Sequence, residues 1–163
     1  MPGSRTHVRR LTSGELQSDG VVVLEMIGFC SQADNSQKTP LRIPLIFSPP
    51  RRGNFVAVVT NLSSRRLAAA FRRAVRDQAS DLPTFTVNAL GGFLRATAAR
   101  SDHASYWRAG RKGIVITDTA NFRNTHYHGR TDTADTLDYE FMSKVVRAVT
   151  AMARARPGSS SLR

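Results

Sequence analysis

Three runs of nearly continuous apolar residues punctuate the chain: VVVLEMIGF at Val21–Phe29, NFVAVVT at Asn54–Thr60, and Ile114-Val115-Ile116. β-Branched side chains dominate them, and apolarity without strict alternation predicts strands buried on both faces. Thr84–Leu90 reads as a further short strand. Helical spacing governs other stretches. Leu67, Phe71 and Val75 recur every four residues after Asn61 and Ser63, either of which can cap, so a helix with one buried stripe and solvent-facing arginines follows. Phe141, Met142, Val145, Val146, Val149 and Met152 form a second stripe on a helix that starts near Asp138. Shorter helices are expected around Val8–Leu11 and from Ser101 or Asp102, as N-cap, to Gly110, whose lack of a Cβ suits a helix end. Pro40–Pro50 reads as irregular, with Ile43, Leu45 and Phe47 alternating inward, and Gly91-Gly92 as a turn. Strands alternating with helices give an α/β fold. One domain, residues 1–156, accounts for the pattern, and residues 157–163, from Pro157-Gly158 through the serines, read as a disordered tail.

Composition sets bounds on this picture. The 163 residues are 40% hydrophobic, enough for one real core. The net charge is +12, from 24 Lys and Arg against 12 acids, and Lys occurs only at positions 38, 112 and 144. So basic a chain could meet a nucleic acid. However, its arginines come as scattered pairs, Arg9-Arg10, Arg51-Arg52, Arg65-Arg66 and Arg72-Arg73, which argues for a solvated surface instead. Cys30 is the only cysteine, so no intrachain disulfide can form. No apolar run follows Arg5, Arg9 and Arg10 to make a signal peptide, and no stretch is long enough to cross a bilayer.

The chemistry concentrates in ITDTANFRNTHYHGRTDTADTLDY, Ile116–Tyr139, which leaves the third strand and enters the last helix. His126 and His128 flank Tyr127, and Asp132, Asp135 and Asp138 follow at intervals of three. Ligand-type side chains on a loop leaving a buried strand are the usual makings of a site in an α/β sheet. Glu25 interrupts the first apolar run, where an ionised carboxylate is costly unless an arginine or a metal meets it. Asp132 and Asp138 serve equally well as caps of local turns and of the last helix.

LEMIG at Leu24–Gly28, SDHASYWRAG at Ser101–Gly110 and ITDTANFRNTHYHGRTDTADTLDYE at Ile116–Glu140 together resemble the di-zinc aminopeptidases of metallopeptidase family twenty-eight. These are leucyl-aminopeptidase-like exopeptidases related to glutaminyl cyclases. GSRTHVRRL at Gly3–Leu11 resembles the segment that follows that family's glutamate pair. The resemblance spans nearly the whole chain. It implies a partial three-layer α/β/α zinc-exopeptidase fold, the C-terminal half of a mixed central sheet flanked by helices, acting on peptides through two zinc ions.

In the family, ligands come from an H-x-D segment, a D-D-N segment, an E-E pair whose first member is the general base, an L-[DE]-M segment and the His of Y-H-T. Carried over, Glu25 and His128 are the metal ligands, one for each zinc. Asp102 and Asp132 orient the ligand or its loop, and Met26, Phe122 and Tyr127 line the pocket for the substrate's N-terminal side chain. His126 is the weaker ligand candidate, and His103 is structural or supports the site indirectly. No H-x-D, D-D-N or E-E occurs in this chain. The resemblance therefore implies a C-terminal portion of the catalytic domain, inactive alone. Three departures add to this: Gly129 stands after His128, Arg111-Lys112 lead into the third strand, and Ala98 replaces a tyrosine found in some relatives. Half a sheet would also expose an edge, so self-association or capture of a partner protein or nucleic acid is the competing reading.

Overall fold

A computed structural model describes residues 2–39, 48–89 and 101–155. The proposed inward alternation of Ile43, Leu45 and Phe47, the Gly91-Gly92 turn, Ala98 and the tail 157–163 lie outside the described residues. Helix α1 spans Pro2–Thr12, longer than the Val8–Leu11 core read from sequence. Four strands follow the predicted order with β1 at Val21–Leu24, β2 at Val56–Thr60, β3 at Thr84–Asn88 and β4 at Gly113–Thr117. Between them lie α2 at Arg65–Gln78 and α3 at His103–Arg108, and α4 at Tyr139–Arg154 closes the chain. The chain is thus α/β with a mixed open sheet flanked by helices.

The sheet order is β1-β4-β2-β3. β1 runs parallel to β4, with Val21 opposite Gly113 and Leu24 opposite Ile116. β2 is antiparallel to β4 and parallel to β3. The carboxyl ends of β1 and β4 therefore share one end of the sheet with the amino ends of β2 and β3. Val58 lies opposite Ile116, so Val56, Val58, Ile114 and Ile116 share one face of the pleat. All four are fully buried there against Phe71 and Val75 of α2 and Phe141, Val145 and Ala148 of α4. On β1 and β4 the short helix α3 packs as well, and α1 lies on α3. His7 Nδ1 meets the Tyr106 hydroxyl at 2.7 Å, and Arg111 Nη2 donates to the Leu11 carbonyl at 2.8 Å.

Several boundaries differ from the sequence reading for identifiable reasons. β1 ends at Leu24 rather than Phe29, because Met26 adopts φ +52 and turns the chain out of the ladder. Asn61 does cap, but its side chain accepts from Ser64 N to close a 3₁₀ turn that precedes α2. Asp102 makes no side-chain cap bond to α3. Gly110, at φ +68, does follow the last turn of α3 as a residue free to adopt that conformation. Asp138 caps α4, accepting from Phe141 N at 2.9 Å. Val146 is 46% exposed and outside the stripe, and Ala148 takes a core position instead. On α2, Arg72 turns inward and donates to Thr86 Oγ1 at 3.0 Å, while the other arginines of that helix are exposed.

This packing predicts opposite outcomes for two apolar truncations. Phe71→Ala should destabilise the chain by about 3–5 kcal/mol through a core cavity, and Val146→Ala by less than ~0.5 kcal/mol. Urea titrations of the two variants measure the difference.

Candidate functional site

Parallel pairing of β1 with β4 brings together the two segments that leave them. Glu25 is the first residue past β1, and its backbone N–H still donates to the Ile116 carbonyl at 3.1 Å. His128 lies ten residues past Asp118 in the loop that leaves β4. Both proposed ligands thus sit beyond the carboxyl ends of adjacent parallel strands. Glu25 is half-buried and His128 exposed, and among the described residues neither side chain has a hydrogen-bond or ion-pair partner. Among the described residues, the arginine pairing considered for Glu25 is not made. The His128 ring lies against Tyr127, with centroids 4.1 Å apart.

What holds the two loops together is Asp118, which the sequence reading passed over. Its side chain is 1% exposed. One carboxylate oxygen accepts from Phe29 N of the β1 exit at 2.8 Å, the other from Ala120 N of the β4 exit at 2.9 Å. Asp118 N donates in turn to the Met26 carbonyl. A third tie joins Asp138 N to the Gly28 carbonyl at 2.8 Å. Burial pushes the Asp118 carboxyl up from its ordinary value, and the N–H donors of Phe29 and Ala120 and the nearby Arg123 pull it back only in part.

Arg123 extends this polar core. It is 4% exposed, donates from Nε to Gln37 Oε1 at 2.9 Å and from Nη1 to the Phe29 carbonyl at 3.2 Å, and lies over the Phe55 ring. Burial lowers its pKa to about 10, with Asp118 opposing the shift. A Cβ on Gly53 would come within 2.7–2.8 Å of the Arg123 side chain, so glycine is required there for close approach. Asn124, 2% exposed, accepts from His126 N at 2.7 Å and shapes the turn into the histidines. The signal available for these residues was a run of polar side chains, Asp118 to Asn124, in one strand exit. Only packing shows that they point inward.

Backbone strain collects at the same end. Met26, Thr119, Ala120 and His128 are non-glycine residues with φ between +51 and +80. Such conformations persist where surrounding contacts hold them, and they cluster at functional sites.

The remaining candidates are dispersed. Met26 and Tyr127 are half-buried beside Glu25 and His128. Phe122 is half-buried on the 3₁₀ turn Ala120–Phe122, its carbonyl accepting from Lys38 N at 2.8 Å. Asp132 is exposed in the His128 loop, with its own N–H bonded to the Gly129 carbonyl. Asp102 is exposed just before α3 and, among the described residues, makes no bond to His128. His126 is engaged through Nδ1 with Thr131 Oγ1 at 2.9 Å. A cavity of about 210 Å³ at this end of the sheet is lined by Cys30, Asn54, Asp81, Asp138, Glu140 and Lys144, and not by Met26, Phe122 or Tyr127. Burial and then Asp138 raise the Cys30 thiol pKa, which leaves it a poor nucleophile.

Glutamate oxygen and imidazole nitrogen are the right donors for zinc. Their number is not sufficient: among the described residues no group of three or more His, Cys, Asp and Glu side chains could hold a metal ion. No helix among the described residues is long and apolar enough to cross a membrane.

His103 is 1% exposed, stacked edge-on against Trp107 at 4.4 Å, and among the described residues neither ring nitrogen has a hydrogen-bond partner. Desolvation lowers its pKa to about 4. The fold therefore requires the neutral ring. Its contribution is complete above the unfolded-state value near 6.5 and is lost as pH falls from there through about 4, a window worth roughly 3 kcal/mol. Urea midpoints measured at pH 7 and pH 4.5 should show this loss, and His103→Leu should flatten the dependence in that window.

The profile of peptidase family M28 matches residues 3–153. An uncharacterized protein of Escherichia coli (strain K12), YfbL, is 36% identical over 129 residues, covering 79% of this chain and 39% of its own length. The fold is similar to that of the Legionella pneumophila LapA aminopeptidase, with a TM-score of 0.65 at 19% identity, covering 93% of this chain and 34% of that one. It is also similar to LapB from the same organism, with a TM-score of 0.63 at 17% identity, covering 93% and 35%. The chain thus spans well under half the length of each of these proteins.

Proposed function

Because this chain belongs to peptidase family M28, we propose that it carries the Glu25 and His128 side of a two-zinc aminopeptidase site. The observation that carries this reading is the position of these two side chains, without partners among the described residues, beyond the carboxyl ends of the parallel pair β1 and β4. Residues 1–156 would form a C-terminal portion of the catalytic domain, consistent with the order of the three matched segments. In the complete site, zinc would polarise the scissile carbonyl of a peptide and lower the pKa of water. Glu25 and His128 would each hold one ion. Asp132 would steady the His128 loop, and Asp102 would act from beside α3. Met26, Phe122 and Tyr127 would receive the substrate's N-terminal side chain.

No reaction step is assigned to this chain alone. A catalytic zinc ordinarily keeps three protein ligands and one open position, whereas one carboxylate and one imidazole on separate loops supply a single donor per ion. The segments H-x-D, D-D-N and E-E, which carry the other ligands and the base in the family, do not occur in these 163 residues. Loss of a general base alone removes about 10²–10⁴ of rate. A second reading, association through β1, has its own support. Among the described residues β1 is an edge strand, and its Leu24 is 44% exposed.

Purified chain supplied with zinc and a leucyl-anilide should show no turnover above buffer, and addition of EDTA should change nothing. Robust cleavage abolished by EDTA would overturn the proposal that this chain lacks a working site.

A further inference from the structure

Arginines that look scattered along the chain converge at the opposite end of the sheet from Glu25 and His128. The anchor is a buried bond in which Gly113 N donates to Ser64 Oγ at 2.9 Å. It sets the start of β4 beside the start of α2, so Lys112 adjoins Arg65 and Arg66. Val21 N donates to the Lys112 carbonyl at 3.1 Å, which places the start of β1 there too. The turn out of α3 closes on the same point. Trp107 Nε1 donates to the Gly113 carbonyl at 2.8 Å, and Arg111 N to the Tyr106 carbonyl at 2.8 Å, which brings Arg108 alongside. Helix α4 begins at the other end, where Asp138 N meets the Gly28 carbonyl, and its buried side runs back along the sheet. Its 16 residues span about 24 Å against about 17 Å for a five-residue strand, so Arg154 reaches this end as well.

Arg65, Arg66, Arg108, Lys112 and Arg154 are all exposed, and among the described residues none has an ion-pair partner. Asp19 lies exposed in the loop before β1, and Glu15 is held by Arg10 at 2.7 Å. At the site end the charges are mixed: the β4 exit carries Asp118, Asp132, Asp135 and Asp138 against Arg123 and Arg130, and Lys38, Arg51, Arg52 and Lys144 lie there too.

We infer that the end of the sheet formed by Arg65, Arg66, Arg108, Lys112 and Arg154 binds the phosphodiester backbone of a nucleic acid, without base specificity. Several exposed guanidinium groups offer the planar pairs of donors that phosphate oxygens accept. An anionic membrane would fit less well. Among the described residues, the exposed large apolar side chain at this end is Leu62, which gives little for a bilayer to bury. The inference is independent of the aminopeptidase reading.

Fluorescence anisotropy of the full chain with a labelled duplex, repeated across salt concentrations, tests it. Five phosphate contacts predict a slope of log K against log salt of about −4 to −5, or a roughly 500-fold weakening between about 50 and 200 mM. Arg66→Ala and Lys112→Ala should each flatten the slope by about 0.9, whereas Arg130→Ala, at the site end, should leave it unchanged. Duplexes of unrelated sequence should bind alike. The inference fails if the chain does not bind duplex at about 50 mM salt, if Arg130→Ala weakens binding as much as the other two variants, or if phosphatidylserine vesicles are bound and duplex is not.

Discussion

The Asp118 carboxylate is the constraint on which the candidate site depends. Parallel pairing of β1 and β4 brings two chain exits to one end of the sheet, but that pairing ends with Leu24 opposite Ile116. Beyond that point the exits would be free to diverge. A single buried carboxylate accepts one backbone N–H from each. Two N–H donors meet two oxygens, so burial leaves neither loop with an unpaired donor at the junction. Arg123 backs this arrangement from Gln37 to the Phe29 carbonyl. Left-handed backbone at Met26, Thr119 and Ala120 lies within these same contacts.

That construction explains how much of the molecule was legible beforehand. Continuous β-branched runs and four-residue spacing placed the strands and the two long helices, because burial on a sheet and on one helix face leaves those periods in the sequence. They did not show where β1 stops, since Met26 leaves the ladder through its backbone and not through any change in polarity. Nor did they show Val146 yielding its place to Ala148, a matter of where the helix phase meets the sheet. Glu25 and the histidines at 126 and 128 stood out as polar candidates in the sequence, whereas their reading as zinc ligands rests on resemblance to a family. Asp118, Arg123 and Gln37 looked like loop polarity, and their inward orientation comes from contacts up to 94 residues apart in the chain.

Charge tells the same story at larger scale. Pairs of arginines spaced along a chain read as solvated surface, and most are. The fold nevertheless gathers Arg65, Arg66, Arg108, Lys112 and Arg154 at one end of the sheet, while acids and bases mix at the other. Membership of peptidase family M28 says nothing about this polarity, which arises from which loops turn at which end.

Titrating zinc into the isotopically labelled chain, with NMR detection of side-chain carboxyl and imidazole resonances, tests the account most directly. Weak binding that perturbs Glu25 and His128 selectively, and that is lost separately in Glu25→Ala and His128→Ala, is the predicted result. Tight zinc binding, or binding that leaves Glu25 and His128 unperturbed, would contradict it.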